Sequence, residues 1–179
     1  MRAVPAERVV RDATPADAAA CAAIYAPYVE GTAVSFEQRA PTPDEMAGRI
    51  AGAQERHAWL VCEDDGRVVG YAYGGTFRAR AAYRWTAEVS VYLEPGLRRS
   101  GAGRALYEAL LARLAGRGFR TAVAGMTEPN DASTALHLAL GFERVGTLRD
   151  VGFKDGRWHA TTWFQRPLGP HDDAPAETV

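Results

Sequence analysis

The fold is decided by residues 84–106, which read RWTAEVSVYLEPGLRRSGAGRAL. The first ten of these residues alternate in polarity, so that Glu88, Ser90 and Tyr92 share one face of a predicted strand. A glycine-rich turn follows, and after it leucines recur at helical spacing. A strand that leads through such a turn into a helix points backbone N–H groups and the positive end of the helix dipole at one spot, which suits an anion.

The glycine-rich turn does not identify its anion. The dinucleotide fingerprint needs a third glycine or an alanine where this chain has Leu106, and a Walker loop needs Lys-Ser or Lys-Thr after its second glycine. Neither requirement is met by Gly101-Ala102-Gly103 and the residues that follow it. On this segment alone, a tight turn without a ligand is an equal alternative.

The rest of the chain supplies six more strands and three more helices. Upstream, the pattern predicts a strand at Val9-Val10, a helix entered at Thr14-Pro15, a helix from the capping box Thr42–Glu45 to about His57, and a hairpin of Trp59–Glu63 and Val68–Thr76. Downstream, it predicts a strand at Thr121–Met126, a helix capped by Asn130 and stopped by Gly141, and strands at Arg144–Phe153 and Trp158–Arg166. We therefore expect an α+β protein with about seven strands and about four helices.

Length and composition indicate one globular domain. The chain has 179 residues, of which 47% are hydrophobic and 24% charged. We assign residues 1–168 to a single domain and expect residues 169–179, which hold two prolines and no apolar periodicity, to form a flexible tail. The 21 basic and 22 acidic residues leave a net charge of −1, which argues against nucleic acid as a partner.

Membrane, secreted and metal-binding proteins are also poor matches. The longest apolar run, Ala18–Val29, is far shorter than the ~20 residues that a membrane span needs, and charges interrupt the apolar residues of the N-terminus. Two cysteines are too few for a disulfide framework, and the four histidines do not fall at metal-ligand spacing with them. We expect a cytoplasmic protein with no membrane partner and no metal.

Several motifs occur in an order that resembles the GNAT superfamily of acetyl-CoA-dependent N-acyltransferases. The matching residues are Glu88, Val91–Leu93, Arg98–Arg104, Asn130 and Gly141-Phe142, and the order of elements agrees from about Val9 to Leu168. Within the superfamily, the chain resembles phosphinothricin acetyltransferases and their methionine sulfone and methionine sulfoximine relatives. That likeness is carried by Trp85–Glu88, Pro129–Asp131, Leu140–Phe142, Gly152–Lys154, Gly156 and Trp158-His159.

The resemblance implies an α/β/α layered GNAT fold, with a mixed and mostly antiparallel sheet that splays at the cofactor site. It implies acetyl-CoA as cosubstrate, with the pantetheine arm paired to the backbone of Val91, Tyr92 and Leu93. The pyrophosphate would lie on the amides of Arg99, Ser100, Gly101, Ala102, Gly103 and Arg104. Asn130 and Ser133 would also bind the cofactor; the alternative is that both only cap their helix.

Glu88 is the candidate general base. Amine attack on a thioester requires a neutral amine, and a carboxylate that removes the proton directly or through water supplies one. From the residues alone, a glutamate paired with an arginine on a solvated strand is the more common case. The family match reverses that preference.

His137 stands where many GNAT members carry a tyrosine thought to protonate the departing thiolate. A neutral imidazole there could bind the base, the amine or the sulfur, and the alternative is a helix histidine with satisfied hydrogen bonds. Cys21 and Cys62 lie in apolar patterns typical of core residues. We therefore expect direct transfer without an acyl-enzyme.

Arg78 and Arg80 are two residues apart, and an extended segment would present both as clamps for an anion. In relatives of phosphinothricin acetyltransferase this stretch, together with an aromatic residue that matches Phe36, holds the amino-acid substrate. Arg78, Arg80, Tyr83 and Phe36 are therefore the candidate substrate-binding residues, against the alternative of a solvated basic turn. The resemblance also implies a homodimer with sites near its interface.

The leading hypothesis is an enzyme that acetylates the amine of a small amino acid or analogue. A protein N-terminus or a polyamine is a second acceptor class, although the paired arginines argue against a cationic polyamine. A non-catalytic acyl-CoA-binding sensor and a nucleotide-binding module are alternatives of another class.

Overall fold

The computed structural model describes residues 8–97, 100–171 and 173–179. These residues form seven strands and four α-helices around one sheet whose strand order is β1-β2-β3-β4-β5-β7-β6. The strands are β1 (Arg8–Asp12), β2 (Ala58–Asp64), β3 (Arg67–Thr76), β4 (Thr86–Leu93), β5 (Thr121–Thr127), β6 (Glu143–Lys154) and β7 (Arg157–Pro167). The helices are α1 (Ala18–Gly31), α2 (Pro43–Arg56), α3 (Ala102–Gly116) and α4 (Asp131–Ala139).

The sheet is mixed and mostly antiparallel, as expected. Only β4 and β5 run parallel, and they pair over just Thr86–Glu88 and Thr121–Val123. Beyond those residues the two strands separate, although β4 continues to Leu93 and β5 to Thr127. The separation confirms the predicted splay.

Two hydrophobic cores lie on opposite faces of the sheet. One holds the apolar stripe of α3 against residues such as Ala87, Val89, Ala122 and Phe164. The other holds α1 and α2 against aromatic side chains of β2 and β3. Because side chains alternate along a strand, Glu88 faces the α1–α2 side and its neighbour Ala87 faces α3.

Local sequence explains where the helices begin. Thr42 and Glu45 exchange the two hydrogen bonds of the predicted capping box, at 3.2 and 2.7 Å, so α2 starts at Pro43. Gly101 precedes α3 with a φ of +82°, which an L-residue adopts only with strain. The helix predicted at Thr14-Pro15 begins as a 3₁₀ turn at Pro15–Asp17 before α1 starts at Ala18.

The last residues of the chain contact the body of the domain. The indole N–H of Trp85 donates to the carbonyl of Ala176 at 2.8 Å, and Arg84 pairs with Glu177 at 2.8 Å. The amide of Val179 donates to the carbonyl of Arg117 at 3.0 Å. The domain boundary at residue 168 and the flexibility of residues 169–179 stay predictions. Within the described ranges, no helix has the length and hydrophobicity of a membrane span.

Candidate active site

Glu88 lies in β4 at the last residue that pairs with β5. Its side chain is half-buried, and it makes no ion pair or side-chain hydrogen bond with the residues that the structure describes. Burial raises the pKa of this carboxyl above its ordinary value. The described residues therefore give no support to the alternative of a glutamate paired with an arginine.

Open space adjoins this carboxylate. Gly75 of β3 is the direct neighbour of Glu88 across the ladder, and a Cβ added at Gly75 would meet nothing within 4 Å. A cavity of about 300 Å³ lies between α2 and strands β2 and β3, and its lining includes Gly75, Tyr73 and Arg49. Two hydrogen bonds of 2.7 and 2.9 Å join Arg49 to Glu37, so this lining cation already has a counter-ion. Gly75 thus links the cavity, which it lines, to Glu88, its neighbour on β4.

The gap between β4 and β5 leaves strand backbone without a strand partner. Residues Val91, Tyr92 and Leu93 pair with β3 on one side only, through Ala72, Tyr71 and Gly70. The Tyr28 hydroxyl donates to the carbonyl of Leu93 at 2.7 Å. The remaining backbone groups on the open side can pair with an extended ligand, as an added strand would.

The glycine-rich turn places the first amides of α3 at the end of β4. Ser100 caps this turn, since its hydroxyl accepts the Ala102 amide at 3.3 Å, and its carbonyl accepts the guanidinium of Arg8. Gly103 is buried, and a Cβ there would lie 3.3 Å from Leu136 and 3.5 Å from Leu93, so helix packing also requires its small size. Arg104 is exposed and pairs with Glu108 at 3.1 Å, and Arg99 lies outside the described residues.

Asn130 caps α4. Its side-chain oxygen accepts the amide of Ser133 at 3.2 Å, which is the N-cap hydrogen bond that the sequence predicts. This bond uses the oxygen of the Asn130 amide, and the N–H₂ group of the same side chain is a separate donor. Capping and ligand binding by Asn130 are therefore compatible.

A family model, described as an acetyltransferase (GNAT) domain, matches residues 10–163. The chain belongs to the GNAT acetyltransferases. It is thus an enzyme of the N-acetyltransferase class, and the sequence-based assignment of family and fold is confirmed.

Individual relatives show which members of the GNAT family the chain is similar to. The chain is 43% identical over 157 residues to a phosphinothricin N-acetyltransferase of Streptomyces viridochromogenes, covering 88% of this chain and 86% of the relative. It is 37% identical over 171 residues to a Pseudomonas aeruginosa L-methionine sulfoximine/L-methionine sulfone acetyltransferase, covering 93% and 98%. A Sinorhizobium meliloti phosphinothricin acetyltransferase solved in complex with AcCoA is 39% identical, with a TM-score of 0.91 and coverage of 96% and 95%.

His137 of this GNAT enzyme is held by its neighbours on both ring nitrogens. Nδ1 donates to the carbonyl of Ser133 at 2.7 Å, so Nε2 accepts the hydroxyl of Tyr107 at 3.1 Å. The ring packs against Phe142 and Phe164, which belong to the core on the α3 face. Burial lowers the pKa of His137, and the residue packs on the face opposite Glu88. The geometry favours the alternative of a satisfied helix histidine.

The segment after β3 brings part of the candidate acceptor site together. The guanidinium of Arg78 lies 5.1 Å from the ring centroid of Phe77 and 5.5 Å from that of Tyr83. Arg80 is exposed, and neither arginine has an ion pair within the described ranges. The segment bends rather than running straight, so it does not meet the condition of an extended chain under which the two side chains would project as a pair.

Phe36 lies in the loop between α1 and α2 and packs on the sheet at β6. A Cβ added at Gly152 would fall 2.2 Å from the Phe36 ring, so this ring lies directly on the backbone of β6. His159, which pairs with Gly152, lies 6.0 Å from the ring centroid. The β register puts His159 and Glu88 on one face of the sheet, because each faces away from Ala124 and Phe164.

Sequence reasoning missed the side chains that support these positions. No sequence pattern indicates the contacts of Tyr107 or Lys154, because their hydrogen-bond partners are far away in the chain. Phe77 and Trp163 were not singled out, although their rings lie 5.9 Å apart. The alternation of β7 was the one available signal, since it places Trp163 on the same face as His159.

Proposed function

We propose that this enzyme transfers the acetyl group of acetyl-CoA to the amine of a small amino acid or analogue of the phosphinothricin, methionine sulfone or methionine sulfoximine type. The names of the relatives support this acceptor class. The observation that carries the chemistry is the half-buried carboxylate of Glu88, unpaired among the described residues, at the point where β4 leaves β5.

Glu88 acts as the general base. An acceptor ammonium gives up one proton, directly or through a water, to the Glu88 carboxylate before attack. The amine lone pair then forms a C–N bond to the thioester carbonyl carbon, the attacking nitrogen loses its second proton, and the C–S bond breaks to leave the amide and the thiol. One proton goes to the departing sulfur and the other leaves to solvent. No acyl-enzyme is needed, since Cys21 and Cys62 are buried in the two cores.

The cosubstrate occupies the gap between β4 and β5. Its pantetheine arm pairs with the open side of Val91–Leu93, and its pyrophosphate lies on the amides from Ser100 to Arg104 at the start of α3. Arg99 is part of this proposal from sequence alone. Asn130 contacts the cosubstrate while it caps α4, Ser133 contacts it from the first turn of that helix, and His137 holds α4 to α3 through Tyr107.

The acceptor binds above β4 on the α1–α2 face. Phe36 and Tyr83 supply aromatic walls, and Arg78 and Arg80 supply positive charge for the acidic groups of the acceptor. The positive charges of Arg78 and Arg80 disfavour binding of a polyamine, which carries charge of the same sign.

A thiol-release assay with acetyl-CoA tests the proposal. The acceptors are phosphinothricin, methionine sulfone, methionine sulfoximine, common amino acids, a short peptide and a polyamine. Glu88→Gln should lower kcat by at least about 100-fold, the usual contribution of a general base, and keep CoA affinity within a factor of about two. Glu55→Gln, a change at an exposed residue of α2, should keep full activity.

Other results of this assay would each contradict a stated part of the proposal. Full activity in Glu88→Gln would remove this residue from the mechanism and keep the enzyme. Activity with the peptide alone would replace the amino-acid acceptor by a protein N-terminus. CoA binding with no turnover on any acceptor would favour a sensor.

We further propose a cytoplasmic homodimer. Two free, buried cysteines suit a reducing compartment. Five of the exposed large apolar side chains lie on the β6–β7 hairpin, and a second copy of the chain would remove them from water. They are Val145, Leu148, Val151, Phe153 and Trp158.

A further inference from the structure

Trp163 lies on the same face of the sheet as Glu88, two strands away. Glu88 pairs with Val123 of β5, and Trp163 of β7 pairs with Gly125. Val123 and Gly125 are two residues apart on one strand, so both lie on the same face of the sheet. The register therefore puts the indole and the carboxylate on one side of the β4–β5 pair.

The indole extends across β5. A Cβ added at Gly125 would lie 3.0 Å from Cζ2 and 3.1 Å from both Cε2 and Cη2 of Trp163, so the six-membered ring of the indole lies over this glycine. Phe77 reaches the indole from the other side, from the end of β3, with 5.9 Å between the ring centroids. Because β4 and β5 lie between β3 and β7, the two rings meet above the strands that hold Glu88.

The indole N–H is buried and has no hydrogen-bond partner among the residues that the structure describes. A buried donor without a partner is costly, and in native proteins it usually has a reason, such as an acceptor supplied by a ligand. A cation lies on the Phe77 side of the indole, since the Arg78 guanidinium is 5.1 Å from the Phe77 ring centroid. Both features suit an anionic ligand group.

We propose that the Trp163 indole N–H donates a hydrogen bond to the carboxylate of the acceptor amino acid while Glu88 accepts the proton of its amine. This inference rests on the proposed function. The amine and carboxylate of an α-amino acid sit on one carbon, so an amine at Glu88 places the carboxylate close by, on the face of the sheet that also carries Trp163. A neutral donor binds the carboxylate there without an added positive charge that would repel the ammonium before it loses its proton.

The experiment compares two acceptors that differ only in the carboxylate: methionine sulfone and 3-(methylsulfonyl)propylamine. Trp163→Phe keeps an aromatic ring and removes the N–H. It should raise KM for methionine sulfone about tenfold, the loss expected for a hydrogen bond to a charged group, and leave KM for acetyl-CoA unchanged. The KM for 3-(methylsulfonyl)propylamine should change less than about twofold. Equal losses with both acceptors would overturn the inference.

Trp85→Phe is the matched control. It removes the same N–H group from an indole whose partner is known, the carbonyl of Ala176, and should leave the KM values of both acceptors unchanged. A tenfold rise in the control would show that loss of any indole N–H disturbs the site and would overturn the assignment to Trp163.

A signal from the N–H itself separates this inference from the proposed function. The four indoles of nitrogen-15-labelled protein give four N–H resonances, and Trp163→Phe identifies the one that belongs to Trp163. Methionine sulfone should move this resonance downfield, and 3-(methylsulfonyl)propylamine should not. An unmoved resonance together with acetylation of methionine sulfone would overturn only the inference. A moved resonance without acetylation would support the hydrogen bond from Trp163 and remove the proposed reaction, and neither signal nor turnover would overturn both.

Discussion

At the scale of the residue, the protonation state of Glu88 controls the proposed reaction. Burial raises the pKa of this carboxyl, and a base works only when ionised, so kcat/KM should rise with pH through a pKa above that of an ordinary glutamate. The pH profile of kcat/KM measures this limb. Because the acceptor amine also titrates, acceptors with different amine pKa values should move the upper limb and leave the Glu88 limb in place. Glu88→Gln should abolish the lower limb; a profile with the same lower limb would assign it to another group.

His137 is a second residue whose role can be measured. His137→Phe removes the acceptor for the buried Tyr107 hydroxyl and the donor to the Ser133 carbonyl. We expect the free energy of unfolding to fall by about 1–3 kcal/mol, and kcat below the melting temperature to stay within about threefold of wild type. Urea unfolding and steady-state kinetics at low temperature check the two parts. Unchanged stability with a large loss of kcat would instead make His137 catalytic.

At the scale of the element, Lys154 joins the β6–β7 hairpin to the end of α1. It is the only lysine in a chain with 21 basic residues, and its buried ammonium donates to the carbonyls of Val29, Thr32 and Ser35. Three carbonyls that converge on one point suit a compact ammonium better than a planar guanidinium, and the negative end of the helix dipole adds to the attraction.

Lys154→Met should therefore lower the free energy of unfolding by about 1–3 kcal/mol. It should also raise KM for the acceptor more than KM for acetyl-CoA, since the loop held by Lys154 carries Phe36. Lys154→Arg, which keeps the charge, should not restore either property. Thermal unfolding and the two KM values provide the test, and full rescue by arginine would show that charge alone matters.

At the scale of the whole molecule, the exposed apolar side chains of the β6–β7 hairpin predict self-association. Val151 and Trp158 are 49% and 59% exposed. The wild-type chain should sediment as a dimer, and Val151→Glu combined with Trp158→Glu should give a monomer of 19.3 kDa, because buried like charges oppose association. Leu138→Glu, at an equally exposed leucine of α4, is the control and should remain dimeric. Analytical ultracentrifugation distinguishes these states, and a monomeric wild type would contradict the proposal.

Much of the architecture could be predicted because it depends on neighbours in the chain. Alternating polarity located β4 and the face of Glu88, and hydrogen bonds across three residues located the starts of α2 and α4. The left-handed glycine before α3 belongs to the same class of local signals. Family resemblance added a mixed, mostly antiparallel sheet that splays at the cofactor site, which no local pattern contains.

The contacts that distinguish the site join residues far apart in sequence, and they could not be predicted. The carbonyls that bind Lys154 lie more than 110 residues away in the chain. Tyr107 is 30 residues from His137, and Phe36 contacts Gly152 although the two residues are far apart in sequence. The unpartnered N–H of Trp163 is also a property of the folded chain alone. Periodicity and capping describe the energy of single elements, whereas burial and long-range hydrogen bonding depend on how those elements pack against one another.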